Sequence, residues 1–207
     1  MTAGRKMGTP RKATTTVPPP QRDPLLSVRI SSESAPSRSF GRRDHAFKYE
    51  RLFIPSLVVD YTILFLRQAG IIGEEEFLVW AGSLMGDDAF VSTLVRPRAR
   101  TGYLHGEIEA PIVARLFNAL DTRDLVPLAQ VHSHPRGAGI SNTDRERPIV
   151  AQRGFLSIIV PHFAFVPFED FAEWRVYEYL EKRDWRTLAD PEKGDRLVVD
   201  DSLIRID

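Results

Sequence analysis

The chain contains no cysteine. That excludes a disulfide scaffold, a Cys-ligated zinc or iron–sulfur site and a thiol nucleophile. No apolar run reaches the ~20 residues that span a bilayer; the best candidate, Leu57 to Leu66, is interrupted by Asp60. Arg5, Lys6, Arg11 and Lys12 are followed by no apolar stretch, so no secretory signal is expected and a soluble, cytoplasmic protein is. Net charge is also lacking, with 28 Lys and Arg against 28 Asp and Glu. This balance argues against binding nucleic acid over the whole surface. Neither common glycine-rich phosphate loop occurs, which leaves nucleotide chemistry without support.

What is present is 207 residues, enough for one domain with a tail, at an ordinary 43% apolar and 27% charged content. The neutral total hides a split. Residues 1–47 hold nine basic and three acidic side chains, so this segment is +6 and the rest is −6. The same segment carries six prolines, including Pro18-Pro19-Pro20, and eleven Ser or Thr. Such a composition buries too little surface to offset its ordering entropy. Residues 1–46 are therefore expected to be a disordered basic tail, and 47–207 a folded domain.

Within 47–207, Pro55 and the apolar residues after it predict a helix over 55–69, ended by Gly70. The β-formers of 75–83, a Gly86-Asp87-Asp88 turn and residues 89–95 predict a hairpin. Ile112, Val113, Leu116, Phe117 and Leu120 have helical spacing over 110–120. Strands are expected over 124–134, 154–160 and 174–179, a short helix near 142–151, and a terminal hairpin or edge from 197–199 and 203–206. Runs of strands with two substantial helices point to an α+β fold, a mixed sheet flanked by helices, and not to strict βαβα alternation.

The chemistry concentrates in Val131-His132-Ser133-His134-Pro135-Arg136-Gly137-Ala138-Gly139-Ile140-Ser141-Asn142-Thr143-Asp144. His132 and His134 are two apart at a predicted strand end, so they leave the same face. Pro135 ends the strand, and Gly137 and Gly139 are expected to let the chain turn back. Asp144 then arrives at a helix start. Two His and a carboxylate with an open fourth position match a catalytic zinc site. Each half also has a plainer reading: an HxH pair occurs at strand ends by chance, and Ser141 with Asp144 fits a helix cap.

Taken jointly, HxHP, a glycine-containing turn and SxxD resemble the JAMM (MPN-plus, JAB) metalloprotease motif. The family also has a Glu seven residues before a Gly, and here Glu75 stands seven before Gly82. The resemblance covers roughly residues 50–207 and is nearest to bacterial JAB proteins of ubiquitin-like conjugation systems. Six residues, Pro135 to Ile140, separate the second His from the Ser, one fewer than the common seven.

The resemblance implies an MPN/JAB, cytidine-deaminase-like three-layer fold and one zinc per chain on His132, His134 and Asp144. It also implies Glu75 as the proton acceptor for a water and Ser141 as a donor to the oxyanion. The implied activity is an isopeptidase or peptidase that cuts after the C-terminal glycine tail of a ubiquitin-like modifier, in some systems within anti-phage defence. The implied partners are the ubiquitin-like protein and its conjugates, with E1-like and E2-like proteins. No membrane and no nucleic acid are expected as partners.

Three other readings stay open: a non-catalytic MPN scaffold, an enzyme acting on a sulfur-carrier protein, and a nucleic-acid role like that of RadC-type proteins. Glu74 and Glu76 read as a solvated acidic turn. His162 and His105 are outlying candidates for the site wall, and His45 reads as solvated. Phe163, Phe165, Phe168, Phe171 and Trp80 read as packing residues.

Overall fold

The structure, a computed structural model, describes residues 47, 49–97, 110–169 and 171–200. The expected tail over 1–46, His45, His105 and the candidate strand at 203–206 lie outside the described residues. The elements in chain order are β1 (Arg51–Ile54), α1 (Ser56–Ile71), β2 (Phe77–Met85), β3 (Asp88–Val95), α2 (Ala110–Asp121), β4 (Val126–Ser133), α3 (Asn142–Glu146) and β5 (Leu156–Val160). A 3-10 turn follows at Pro161–Ala164, then β6 (Arg175–Tyr179), β7 (Trp185–Thr187), α4 (Asp190–Arg196) and β8 (Leu197–Val199). The strands form one mixed sheet in the order β7-β6-β5-β4-β2-β3-β1-β8. β4 pairs in parallel with β5, and β1 in parallel with both β3 and β8; the other neighbours are antiparallel.

Successive strand residues face opposite sides of a sheet, so Val79 and Trp80 mark its two faces. Trp80 donates from its indole N–H to Thr62 of α1 at 2.9 Å. Val79 and Ala81 instead pack with Leu116 and Leu120 of α2. The two long helices therefore cover opposite faces, and the described residues form a helix–sheet–helix sandwich. This explains the solid burial of Leu78–Ala81, Pro127–Ser133 and all of β5. Strands covered on both sides read as largely apolar runs, and two polar residues among them, Gln130 and Ser157, hydrogen-bond each other at 2.9 Å. Helix α1 buries Val59, Thr62, Leu66 and Ala69, one stripe at helical spacing. Trp80 is fully buried, as its sequence context implies. No helix among the described residues is long and apolar enough to cross a membrane.

Several local expectations are corrected. β1, β7 and α4 are additional elements, at four, three and seven residues too short for a periodicity to show. The helix expected over 142–151 stops at Glu146, because Pro148 disfavours helical geometry in the residue before it. β8 lies parallel to β1 at the edge of the sheet, the edge position expected for 197–199; the hairpin alternative involves 203–206, outside the described residues. Gly70 does not end α1, which runs on to Ile71. Its role is space: a Cβ there would overlap the Cβ of Phe163.

Gly82 is the second close approach. The β2–β3 register shifts between Ala81 and Gly82, and a Cβ at Gly82 would overlap the Phe90 carbonyl oxygen. Backbone cannot yield as a flexible side chain can, so Gly82→Ala should lower unfolding stability by about 3 kcal/mol or more. Gly137→Ala, where a Cβ meets nothing within 4 Å, should stay within about 0.5 kcal/mol of the parent. Urea unfolding of both variants checks this; equal midpoints would refute the packing account.

Candidate metal centre

The β2–β4 ladder pairs Phe77 with His132, and Ser133 donates its N–H to the Glu76 carbonyl at 3.1 Å. One more step of this register sets Glu75 across from His134. Glu75, Phe77, His132 and His134 thus share the α2 side of the sheet, and Glu76 the α1 side. His132 is buried, with its ring stacked on Phe77 at 6.0 Å and tilted against the His134 ring at 4.9 Å.

Asp144 meets both rings. His132 Nε2 lies 3.2 Å from one carboxylate oxygen, and His134 Nε2 lies 3.4 Å from the other. One ligand atom from each of the three residues falls within 4.8 Å of the others, the one such group among the described residues. Neither ring nitrogen of His132 makes a hydrogen bond, although both are buried. The contact with Asp144 is close but not aligned for one. Buried polar atoms are normally satisfied, and a cation held between the His132 ring and the Asp144 carboxylate would satisfy both. The residues therefore fit a metal ion with nitrogen and oxygen ligands.

The electrostatics point the same way. Burial disfavours the Asp144 carboxylate, yet the nearby His132 and His134 rings and the Ser141 hydroxyl hold it well below the ordinary range. For His134, burial disfavours the charged ring. The carboxylate of Asp144, the charge of Glu75 and the Gly137 carbonyl outweigh that and raise its pKa. A carbonyl accepting from a ligand imidazole fixes the ring's orientation.

Local chemistry explains how Asp144 is delivered. Ser141 is the N-cap of α3: its hydroxyl accepts from the Asp144 N–H at 3.1 Å, and its own N–H donates to the Asp144 carboxylate at 2.8 Å. The cap and the ligand are thus one arrangement. The accepting hydroxyl keeps a proton to donate, and Ser141 is exposed. Gly137 and Gly139 do not make the turn by left-handed geometry, since neither has positive φ. The loop is braced from outside instead: the Tyr177 hydroxyl of β6 donates to the Ala138 carbonyl at 3.0 Å and accepts from Ile140 N–H at 3.2 Å. Trp185 of β7 donates to the Arg145 carbonyl at 3.3 Å.

The wall beside His134 is strained. His162, Phe163 and Ala164 have φ of 53°, 51° and 59°, a left-handed turn that costs roughly 1–2 kcal/mol per residue outside glycine. Backbone bonds tie it to the ligand strand: His134 N–H to Val160 at 2.9 Å, Phe163 N–H to His134 at 2.9 Å and His162 N–H to Arg136 at 3.1 Å. Arg67 of α1 secures the far side by donating to the carbonyls of Ala164 at 2.5 Å and Val166 at 3.2 Å. His162 therefore adjoins the centre through its backbone, while its side chain is exposed.

Among the phenylalanines, Phe171 is buried and Phe165 is exposed at the surface. Glu75 is half-buried and is felt electrostatically by His134. The expectation of a solvated Glu76 is wrong. It is buried, ion-paired with Arg96, and hydrogen-bonded by Arg96 Nε at 2.7 Å. Burial raises its pKa and Arg96 opposes the rise. Strand alternation carries it under the sheet, where Arg96 also stacks over Phe65 of α1 at 4.9 Å. Tyr177, Trp185, Arg67 and Arg96 had no sequence signal of their own, because each acts through a contact between segments distant in the chain.

No protein-family model matches the chain. A curated relative, the probable metalloprotease y4jG of Sinorhizobium fredii, is 32% identical over 124 residues, covering 58% of this chain and 76% of the relative. Among solved structures, protein DSY2949 of Desulfitobacterium hafniense aligns with a TM-score of 0.51 at 15% identity, over 72% of this chain and 92% of that one. AF2198 of Archaeoglobus fulgidus, a JAB1/MPN domain protein, aligns with a TM-score of 0.41 at 16% identity, over 72% of this chain and 97% of that one. The first of these structural likenesses is one of fold. With the HxHP and SxxD residues gathered at one sheet end, and with a metalloprotease relative matched over three quarters of its length, the chain belongs to the JAMM/MPN (JAB) metalloprotease family.

Proposed function

We propose that the chain is a zinc-dependent isopeptidase that cleaves after the C-terminal glycine tail of a ubiquitin-like modifier. The observation that carries the catalytic part is the convergence of His132, His134 and Asp144 at the end of β4, with Glu75 across the ladder. The substrate class is supported by the motif resemblance. The same resemblance supports conjugates of that modifier, and E1-like and E2-like proteins, as partners.

His132, His134 and Asp144 would hold the ion. When bound, it would lower the pKa of a water to about 7 and polarise the scissile carbonyl. Glu75 accepts the proton of the attacking water and delivers it to the departing amine. Ser141 donates its hydroxyl proton in a hydrogen bond to the carbonyl oxygen as charge develops there. Phe77, packed on His132, keeps that ring in place.

The metal reading predicts a pH dependence. In metal-free protein, the depressed Asp144 contributes stability that is lost as pH falls below about 4. The raised His134 contributes stability that is lost as pH rises above about 6.5. The metal-free melting temperature should therefore peak between those limits, and Asp144→Asn should flatten the peak. Protons compete with zinc for His134, so the rise in melting temperature on adding Zn2+ should be larger at pH 8 than at pH 5.5. Scanning calorimetry with and without Zn2+ checks both signs; no response to Zn2+ at pH 8 would refute the metal reading.

Glu75→Gln should retain one zinc per chain while cleavage of a ubiquitin-like protein extended beyond its terminal glycines falls about 10²–10⁴-fold. An active Glu75→Gln beside a dead Glu76→Gln would reverse the assignment of the two carboxylates.

A further inference from the structure

The loop that brings Asp144 back to the histidines runs from Pro135 to Ile140; its start is held by the Arg136 carbonyl, which accepts from His162 N–H at 3.1 Å, and by the Gly137 carbonyl, which accepts from His134. Its two glycines use no left-handed geometry and touch nothing through a would-be Cβ. In its second half the fixed points are the Ala138 carbonyl and the Ile140 N–H, and both are held by one atom, the Tyr177 hydroxyl. Tyr177 stands on β6, next but one to β4 in the sheet, and is 7% exposed. Its ring is therefore immobilised by the core, and its hydroxyl is a fixed anchor. Ile140 immediately precedes Ser141, which caps α3 and bonds Asp144. The series Tyr177, Ile140, Ser141, Asp144 is continuous through hydrogen bonds and one peptide link.

We infer that Tyr177 is a positioning residue of the metal centre: its hydroxyl sets the loop that places Asp144 against His132 and His134. The inference rests on the metal reading of those three residues. It also accounts for a loop one residue shorter than the family's common length. With its path fixed from β6, the shorter loop still delivers the cap and the ligand together. Tyr177 touches no ligand side chain itself, so it acts as an outer support of the kind whose loss weakens metal affinity about 10–100-fold.

Tyr179 supplies the matched control. It lies on the same strand, is similarly buried, and its hydroxyl accepts from the Arg183 N–H at 3.1 Å, a tether that reaches no part of the centre. The experiment titrates metal-free full-length protein, Tyr177→Phe and Tyr179→Phe with Co2+, followed by visible absorption, and with Zn2+ against a chelator. The expected result is one tight site in the parent and in Tyr179→Phe. In Tyr177→Phe the expected result is about tenfold or weaker affinity with a changed Co2+ spectrum.

Equal affinity and spectrum in Tyr177→Phe and the parent would overturn the inference while leaving the metal reading intact. A parent that binds neither ion would overturn both. A second measurement does not depend on any variant folding: in metal-free parent protein the Ile140 amide should exchange slowly with solvent. Exchange at the rate of an open loop would overturn the tether.

Discussion

The pairing register of β2 against β4 is the constraint on which the rest depends. It is locked at the site itself, where Ser133 N–H donates to the Glu76 carbonyl and Glu76 N–H donates to the Ser133 hydroxyl at 3.2 Å. Both groups are buried, so a slip would strand them without partners as well as exchange faces. With this register, Glu75 and both histidines share one face. Shifted by one residue, β2 would instead turn Glu76 towards the histidines and Glu75 towards α1. Ser133, between the two ligands, therefore does as much for the site as its neighbours, by a backbone argument.

The centre is built from three kinds of rigidity. His132 is held by burial and ring packing within a strand flanked by β2 and β5. His134 is one residue past the end of that strand, and backbone bonds to the left-handed turn extend the strand's order to it. The strain of that turn is offset by Arg67 and by the packing of Phe163 on Gly70. Asp144 comes from a five-residue helix too short to be stable alone. Its capping box and the Tyr177 and Trp185 tethers supply what helix length does not.

The readable part of this was local. Helices α1 and α2, the β2–β3 hairpin, and strands β4, β5 and β6 each carry a period or an apolar run long enough to see. The HxHP and SxxD residues are also local, because strand spacing and helix-cap spacing are short-range rules. What the sequence did not disclose depends on distant contacts. β1 exists as a strand because it finds β3 on one side and β8 on the other. Glu76 looked solvated because its neighbours Glu74 and Glu75 are acidic; only the fold brings Arg96 to it. Gly137 and Gly139 invited a turn argument that the Tyr177 anchor makes unnecessary.

Glu75 and Glu76 show how far identical side chains can be separated by one peptide step. On the α2 side, Glu75 is half-buried and its field reaches His134. On the α1 side, Glu76 is buried, shares both carboxylate oxygens among Arg96 and the Phe77 N–H, and faces no ligand. Burying an ion pair seldom adds net stability, since desolvation consumes most of the attraction. What the pair does supply is direction. A charged Glu76 satisfied by Arg96 under the sheet has no favourable place on the metal side, and that preference opposes the slipped register directly. The acidic triplet thereby tells its own members apart: the Arg96 guanidinium selects Glu76 for the back of the sheet, and the register leaves Glu75 for the front.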